Sequence, residues 1–442
     1  MLLEFRVTNY KSFREEFVFS LVPAPKQKGL DYSVMKMQAG NKEYKGLCSA
    51  VVYGPNASGK TNIIGAMNTF KSIVLRGNIR NDPKYNGANY AAGMLELIPN
   101  NASSKSEPVA FSITFIEAGL LIEYAFSMDL GAFLASGFKR KILLETLKVD
   151  KNLVFSRDEE MEFGSLDTVQ EFLLTALEQN KPGAEAIARS GLNDEELFLT
   201  NGFKMIFSAK LVSLITDWID KKFTVVCRAD AIVSEPQISG NQKEPVYFEK
   251  TVNELAGRLG APGALGYVID SKNGHPRLYS WFKSKNNNKG RGIPAEVFES
   301  YGTLRFINLF PLIAGALVNG GILVVDEFDA SIHPMALMNI INIFHNDAIN
   351  IYHAQLVFNT HNPIFLNANL FRRDEIKFVE RDEDTHLSTL YALSDFKTAG
   401  KNGARKGQDY MKNYFMDRYG AIKDVDFAPI FQDIIKTRKP CP

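Results

Sequence analysis

Val51–Met67 reads VVYGPNASGKTNIIGAM. Within it, Gly54-Pro55-Asn56-Ala57-Ser58-Gly59-Lys60-Thr61 has the spacing G-x-x-x-x-G-K-[ST]. Glycines at both ends let backbone N–H groups converge on phosphate oxygens, and the N-terminus of a following helix adds partial positive charge. The flanks agree with this. GLCSAVVYG is a compact apolar strand, and KTNIIGAMNTFKSIVL carries apolar residues at helical spacing. Strand, loop and helix in that order make a phosphate-binding loop. Lys60 would reach the β- and γ-phosphates of a nucleoside triphosphate, and Thr61 would offer its hydroxyl to Mg²⁺.

Such a loop needs acids elsewhere, and the second half of the chain supplies them. GGILVVDEFDASIHP is a buried-type strand ending at Asp326-Glu327. An Asp at a strand end can hold the metal, and a neighbouring carboxylate can orient and deprotonate water, so Asp326 takes the metal role and Glu327 the base role. QLVFNTHNP is a second such strand, with His361 at its end. A neutral imidazole there can donate to the γ-phosphate or hold the water. FESYGTLRF places Ser300 and Gly302 at the start of an apolar helix, a second anion-binding N-terminus. The chain has no N-K-x-D guanine reader and no arginine-rich lid, which argues against a GTPase or a small-molecule kinase.

The remaining sequence suits an intracellular protein. The 442 residues are 45% hydrophobic and 23% charged, an ordinary globular composition. A net charge of +1 gives no global field toward nucleic acid. Cys48, Cys227 and Cys441 are far apart and form no CxxC pair, so reduced thiols in a cytoplasmic protein are expected. The apolar runs are too short or too interrupted for a membrane helix of ~20 residues. LLEFRVTNYKSF and FVFSLVPAP read as strands, and PVAFSITFIEAGLLIEYAFSMDL as two strands turning at Glu117–Gly119. KRKILLETLKVD and KNLVFSRD extend that antiparallel patch. A capping box from Thr168 to Glu171 and a stripe of Phe207, Leu211, Leu214, Ile215, Trp218 and Ile219 point to helices in the middle, broken at Pro182, Gly183, Gly191 and Gly202. Ser234–Gln242 and Lys283–Arg291 read as polar loops, the second as a solvated hairpin tip. The tail reads as two strands and a last helix, DYMKNYFMDRYG.

Taken in order, GPNASGKTN, ESYGTLR, DEFDASIHP and NTHNP resemble the head of ABC-type ATPases. They are similar to the RecF/SMC branch and to the stand-alone ATPases grouped with overcoming-lysogenization-defect and abortive-infection proteins, including those of PARIS-type anti-phage systems. NYKSF near the start and LSDFK near the end also resemble that group. The implied fold is α/β: an ABC-ATPase head with a mixed central sheet, an antiparallel β subdomain and a helical insert. Residues 1–160 and 300–442 would form the ATPase core, and residues 161–299 the helical insert. The chain departs from the ABC pattern in two ways. No Gln lies between Thr61 and Gln170, and Gly302-Thr303 stands where Gly-Gln or Gly-Glu is usual.

The resemblance implies an ATP- and Mg²⁺-dependent switch. Gly54 to Thr61 of one subunit would hold ATP, and Ser300 and Gly302 of another would cap its γ-phosphate. Ala330, Ser331, Ile332 and His333 would cross the seam of a head-to-head dimer, the unit of a homo-oligomer. The resemblance further implies control of a separate toxic effector, such as a TOPRIM nuclease, and a phage-encoded trigger. The chain's own KFVERDED offers Glu380, Asp382 and Asp384 at a spacing too tight for different strands, so a hairpin turn is expected there. The alternative is a RecF-like DNA-repair ATPase that clamps duplex DNA as an ATP-closed dimer. No membrane partner is expected.

Overall fold

The apolar runs on either side of the glycine loop and the acids become one sheet. In the computed structural model, Ser49–Tyr53, Ile322–Val325 and Gln355–Asn359 are buried along their whole length. Strands covered on both faces read as continuous apolar runs, and such strands pair in parallel. The sheet has six strands, in the order Phe223–Val226, Ile322–Val325, Gln355–Asn359, Ser49–Tyr53, Ile376–Arg381 and Ser388–Ala392. All neighbours are parallel except the last pair. Val325 lies opposite Phe358, and Asn359 opposite Val52. The carboxyl ends are therefore level, and their turns leave from one edge. The structure describes residues 1–437 apart from 26, 28, 81–94, 136–137, 175–176, 228–246, 270–275, 285–286, 398–403, 405–407 and 424.

Side chains alternate across the sheet, so successive residues of Ser49–Tyr53 feed two cores. Ala50 and Val52 join the core built on the helix Lys60–Arg76. Val51 and Tyr53 join the core on the opposite face, with Leu309 and Ile313 of the helix Tyr301–Asn319 and Leu337 and Ile341 of Pro334–Phe344. The first core is closed by a seven-stranded antiparallel sheet. Its order is Met161–Phe163, Asn152–Arg157, Lys141–Val149, Leu120–Asp129, Val109–Glu117, Leu2–Thr8 and Phe17–Ser20. Phe70 of the helix stacks on Phe126 at 5.4 Å and meets Phe5 edge-on at 5.6 Å. The helix behind the glycine loop is thereby wedged between the two sheets.

The middle of the chain is less helical than its sequence suggests. Within 161–299, Phe223–Val226 is an edge strand of the central sheet, parallel to Ile322–Val325. Ala264–Ile269, Pro276–Ser284 and Asn287–Pro294 form a separate antiparallel sheet. Within Lys283–Arg291, Ser284 ends one strand and Asn287 opens the next, and the two pair, in keeping with the hairpin tip expected there. The expected stripe is buried at Phe207, Leu211, Ile215, Trp218 and Ile219, with Leu214 half-buried. It is interrupted at Ser208, whose hydroxyl accepts from Leu211 N at 3.0 Å and starts a new helix. The Thr168–Glu171 capping box does not form. Asp167–Phe172 is a 3₁₀ turn without a side-chain cap, and Ser165 donates to Asp167 at 2.6 Å instead. Pro182 and Gly183 lie inside the helix Leu177–Ser190 rather than ending it. Ser234–Gln242 and Cys441 fall outside the described residues.

In the tail, the two strands and the helix Tyr410–Phe415 are present, and an unanticipated helix, Ala428–Thr437, follows. The acid-rich stretch is a hairpin turn. Asp382 accepts from Thr385 N and Oγ1, each at 2.7 Å, while Glu380 accepts from Tyr391 at 3.2 Å. No cluster of acids, histidines and cysteines suited to a metal occurs among the described residues. One helix, Tyr301–Asn319, is long and apolar enough to cross a membrane by length and composition, but its Leu309 and Ile313 pack on the central sheet.

The wedge gives a stability test. Phe70→Ala, at a side chain 0% exposed, should cost about 3–5 kcal/mol in chemical denaturation. Ile187→Ala, at a side chain 62% exposed, should cost no more than about 0.5 kcal/mol.

Candidate functional site

The glycine loop is tied down by both ends of the chain. Gly59 opens the helix Lys60–Arg76 with φ 113°, in the left-handed region that favours glycine. A Cβ there would also come within 2.7 Å of Ser388 Oγ and 2.8 Å of Ser12 Oγ. Ser388 donates to Ser58 O at 2.6 Å, and its own N–H donates to Ser12 O at 2.8 Å. Asn62 Nδ2 donates to Ser12 Oγ at 2.8 Å, and Arg381 Nη1 donates to Ala57 O at 3.3 Å. Sequence reasoning noticed Ser12 only as part of NYKSF and missed Ser388 and Arg381. Their only signal is position in the fold.

Lys60 is buried and folds back over the loop, where its Nζ donates to Gly54 O at 2.7 Å and Pro55 O at 2.8 Å. Burial pulls its pKa down to about 8, against the attraction of Asp326 and Glu327. An anion brought to this ammonium would oppose that shift and hold the charged form.

Thr61 Oγ1 donates to Asp326 Oδ1 at 3.2 Å. Burial pushes the Asp326 carboxyl up, while hydrogen bonds from Asn359 and Thr61 act to lower it. Asn359 stands at the end of the neighbouring strand and does two jobs. Its Nδ2 donates to Asp326 Oδ1, and its Oδ1 accepts from the backbone N–H of Glu327. Glu327 itself has φ 50°, an unusual left-handed conformation for a non-glycine residue, and its side chain is exposed. Its carbonyl accepts from Arg305 Nη2. Asn359 lies inside the quoted NTHNP strand end, yet its role depends on a strand pairing that linear sequence does not display.

His361 is exposed one residue beyond Thr360. Burial and the nearby Lys60 charge push its imidazole below the ordinary value of 6.5, against Glu327 and Asp329. Both causes favour the neutral imidazole. Asp329 accepts a hydrogen bond from the Thr360 side chain, and burial pushes its carboxyl up. The fold thus gathers Lys60, Thr61, Asp326, Glu327 and His361 at one edge of the sheet.

Ser300 and Gly302 sit differently. Ser300 caps Tyr301–Asn319 by accepting from Thr303 N at 3.1 Å, and it is exposed. A Cβ on Gly302 would lie 2.0 Å from Ser331 O, so only glycine allows the helix start to touch the turn after the acids. Among the described residues, neither makes a hydrogen bond to residues 54–61. Two cavities, of about 630 and 570 Å³, are lined by other residues, among them Glu159 with Arg189 and Arg80 with Arg140.

The donor set fits a nucleotide-bound Mg²⁺. Thr61 and Asp326 supply two oxygens, too few for a protein-only cage but suited to a cation that keeps water and phosphate oxygens. The family of AAA domains named for the AbiEii toxin of type IV toxin–antitoxin systems matches residues 49–185 and 271–367, more than half of the chain. The chain belongs to that family. The matched segments of this AAA domain include the glycine loop, the Ser300 helix, Asp326-Glu327 and His361, and the unmatched 186–270 fall within the middle region. No curated protein matches the chain.

The Asn359 bridge predicts a measurable loss. Asn359→Ala leaves Asp326 and the Glu327 N–H short of a partner and should cost about 1–3 kcal/mol in chemical denaturation. Asn339→Ala, at an exposed helix position, should change stability by no more than about 0.5 kcal/mol.

Proposed function

We propose that the chain is an ATP-hydrolysing switch whose working site is completed by a second copy of itself. The observation that carries this is a half-site. Lys60, Thr61, Asp326, Glu327 and His361 converge, while the exposed Ser300 caps its own helix and, among the described residues, makes no hydrogen bond to residues 54–61. Next to Ser300 in the chain, Val297 and Tyr301 are 77% and 55% exposed, an apolar flank for another protein face.

In this reading, Gly54 to Gly59 hold the phosphates through backbone N–H groups and Lys60 through its ammonium. Thr61 and Asp326 would hold Mg²⁺, which when bound neutralises charge building on the phosphate oxygens. Glu327 takes a proton from the attacking water, and neutral His361 donates to the γ-phosphate. Ser300 and Gly302 of the second copy close the site, so that contacts present only in the closed pair separate the ATP state from the released one.

The biological reading is anti-phage defence of the abortive-infection kind, with PARIS-type ATPases as the resemblance. The family's toxin name supports it. Asp382 and Glu380 are engaged by Thr385 and Tyr391 within a hairpin turn, and the toxic effector is assigned to a separate chain, a TOPRIM nuclease by that resemblance. A cytoplasmic location follows from this role.

Glu327→Gln tests the chemistry. Its turnover should fall about 10²–10⁴-fold while ATP binding persists, and sedimentation should show a dimer held by ATP. Wild-type turnover in this variant would remove Glu327 from the base role.

A further inference from the structure

Glu327 must present its carboxylate from a backbone that resists its own conformation. A non-glycine residue at φ 50° persists only where neighbours hold it. Two groups do so here. Asn359 takes the Glu327 N–H, and Arg305 donates to the Glu327 carbonyl. Arg305 lies on the helix Tyr301–Asn319, three residues after Gly302, so both occupy one face of its first turns. Gly302 touches Ser331 O on the far side of the same turn. The helix start therefore grips residues 327–331 at two points.

Arg305 is also an incompletely satisfied cation. It is 6% exposed, and its Nε has no hydrogen-bond partner among the described residues. Its charge faces Asp329 of the same turn, but no ion pair within bonding distance forms between them among the described residues. A buried guanidinium held by so little is retained at a cost that packing alone does not require. The group sits between the helix start that would meet a second copy and the backbone of the proposed base.

We propose that Arg305 is a positioning residue that couples the Ser300–Gly302 helix start to Glu327. This rests on the hydrolysis reading above. When the helix start engages the nucleotide of another copy, any shift of its first turns is transmitted through the Arg305 guanidinium to the Glu327 peptide. The carboxylate of one site is thereby set by the occupancy of the other. Arg305 does not touch substrate and acts only through Glu327.

The test uses the full chain, with ATP as the probe. Arg305→Ala should lower kcat about 10- to 100-fold, the loss expected for one charge-assisted hydrogen bond. The Kd for a fluorescent ATP analogue should stay within about threefold. In a Glu327→Gln background, measured in single turnover, Arg305→Ala should add less than about threefold, because its route to the chemistry is already gone. Arg305→Lys should recover part of the loss. If Arg305→Ala does not fold, Arg305→Met, which keeps the length of the stem but no N–H donor, carries the same comparison. Losses that multiply in the double variant, an Arg305→Ala kcat within twofold of wild type, or a loss of ATP binding equal to the loss of kcat would each overturn the proposal. A wild-type chain without ATP turnover would instead overturn the hydrolysis reading, and this inference with it.

Discussion

Parallel pairing of Gln355–Asn359 with Ser49–Tyr53 on one side and Ile322–Val325 on the other brings three turns to one edge of the central sheet. The register leaves little freedom. Asn359 falls opposite Val52, so its amide stands beside both the glycine loop and the acids. From there it can hold Asp326 and the Glu327 N–H together. A one-residue slip would turn each strand's side chains to the opposite face and send Ala50 and Val52 into the wrong core. The hydrophobic division between the two cores therefore enforces the geometry of the polar edge.

Electrostatics on that edge is set by burial. Lys60 is drawn down to about 8 and Asp326 is pushed up, each by loss of solvent. Both shifts mark charges held without their full complement of partners. A triphosphate with its metal would supply the missing opposite charge to each, which is how a binding site differs from a settled ion pair. Buried pairs elsewhere are closed in this respect. Arg372 grips Asp374 through two nitrogens, at 3.0 and 2.9 Å, and needs nothing further.

Much of this was readable from sequence, because the chemistry sits in continuous segments. The loop at Gly54–Thr61, the acids at Asp326-Glu327 and His361 each follow a strand whose apolar run is unbroken. The antiparallel strands were readable for the same reason, through alternation. What was hidden depends on distant pairing. Phe223–Val226 is only four residues long and follows two lysines, so it carries too little pattern to read as a central strand. Ser12 and Ser388 brace the loop from opposite ends of the chain. Arg305 reads as one charge in an apolar helix until the Glu327 carbonyl is seen beside it. The Thr168 capping box failed because Ser165 and Asp167 satisfied each other locally before a helix could start.

The central claim is that each working site is shared by two copies of the chain, and mixing two disabled variants tests it directly. Lys60→Ala removes the phosphate grip, and Ser300→Arg blocks the capping face. Each alone should hydrolyse ATP poorly. If sites are shared, a mixed dimer rebuilds one complete site from the intact loop of one copy and the intact helix start of the other, and ATP turnover reappears on mixing. Turnover that stays at the level of the separate variants at every mixing ratio, with mixed dimers shown to form, would contradict the account.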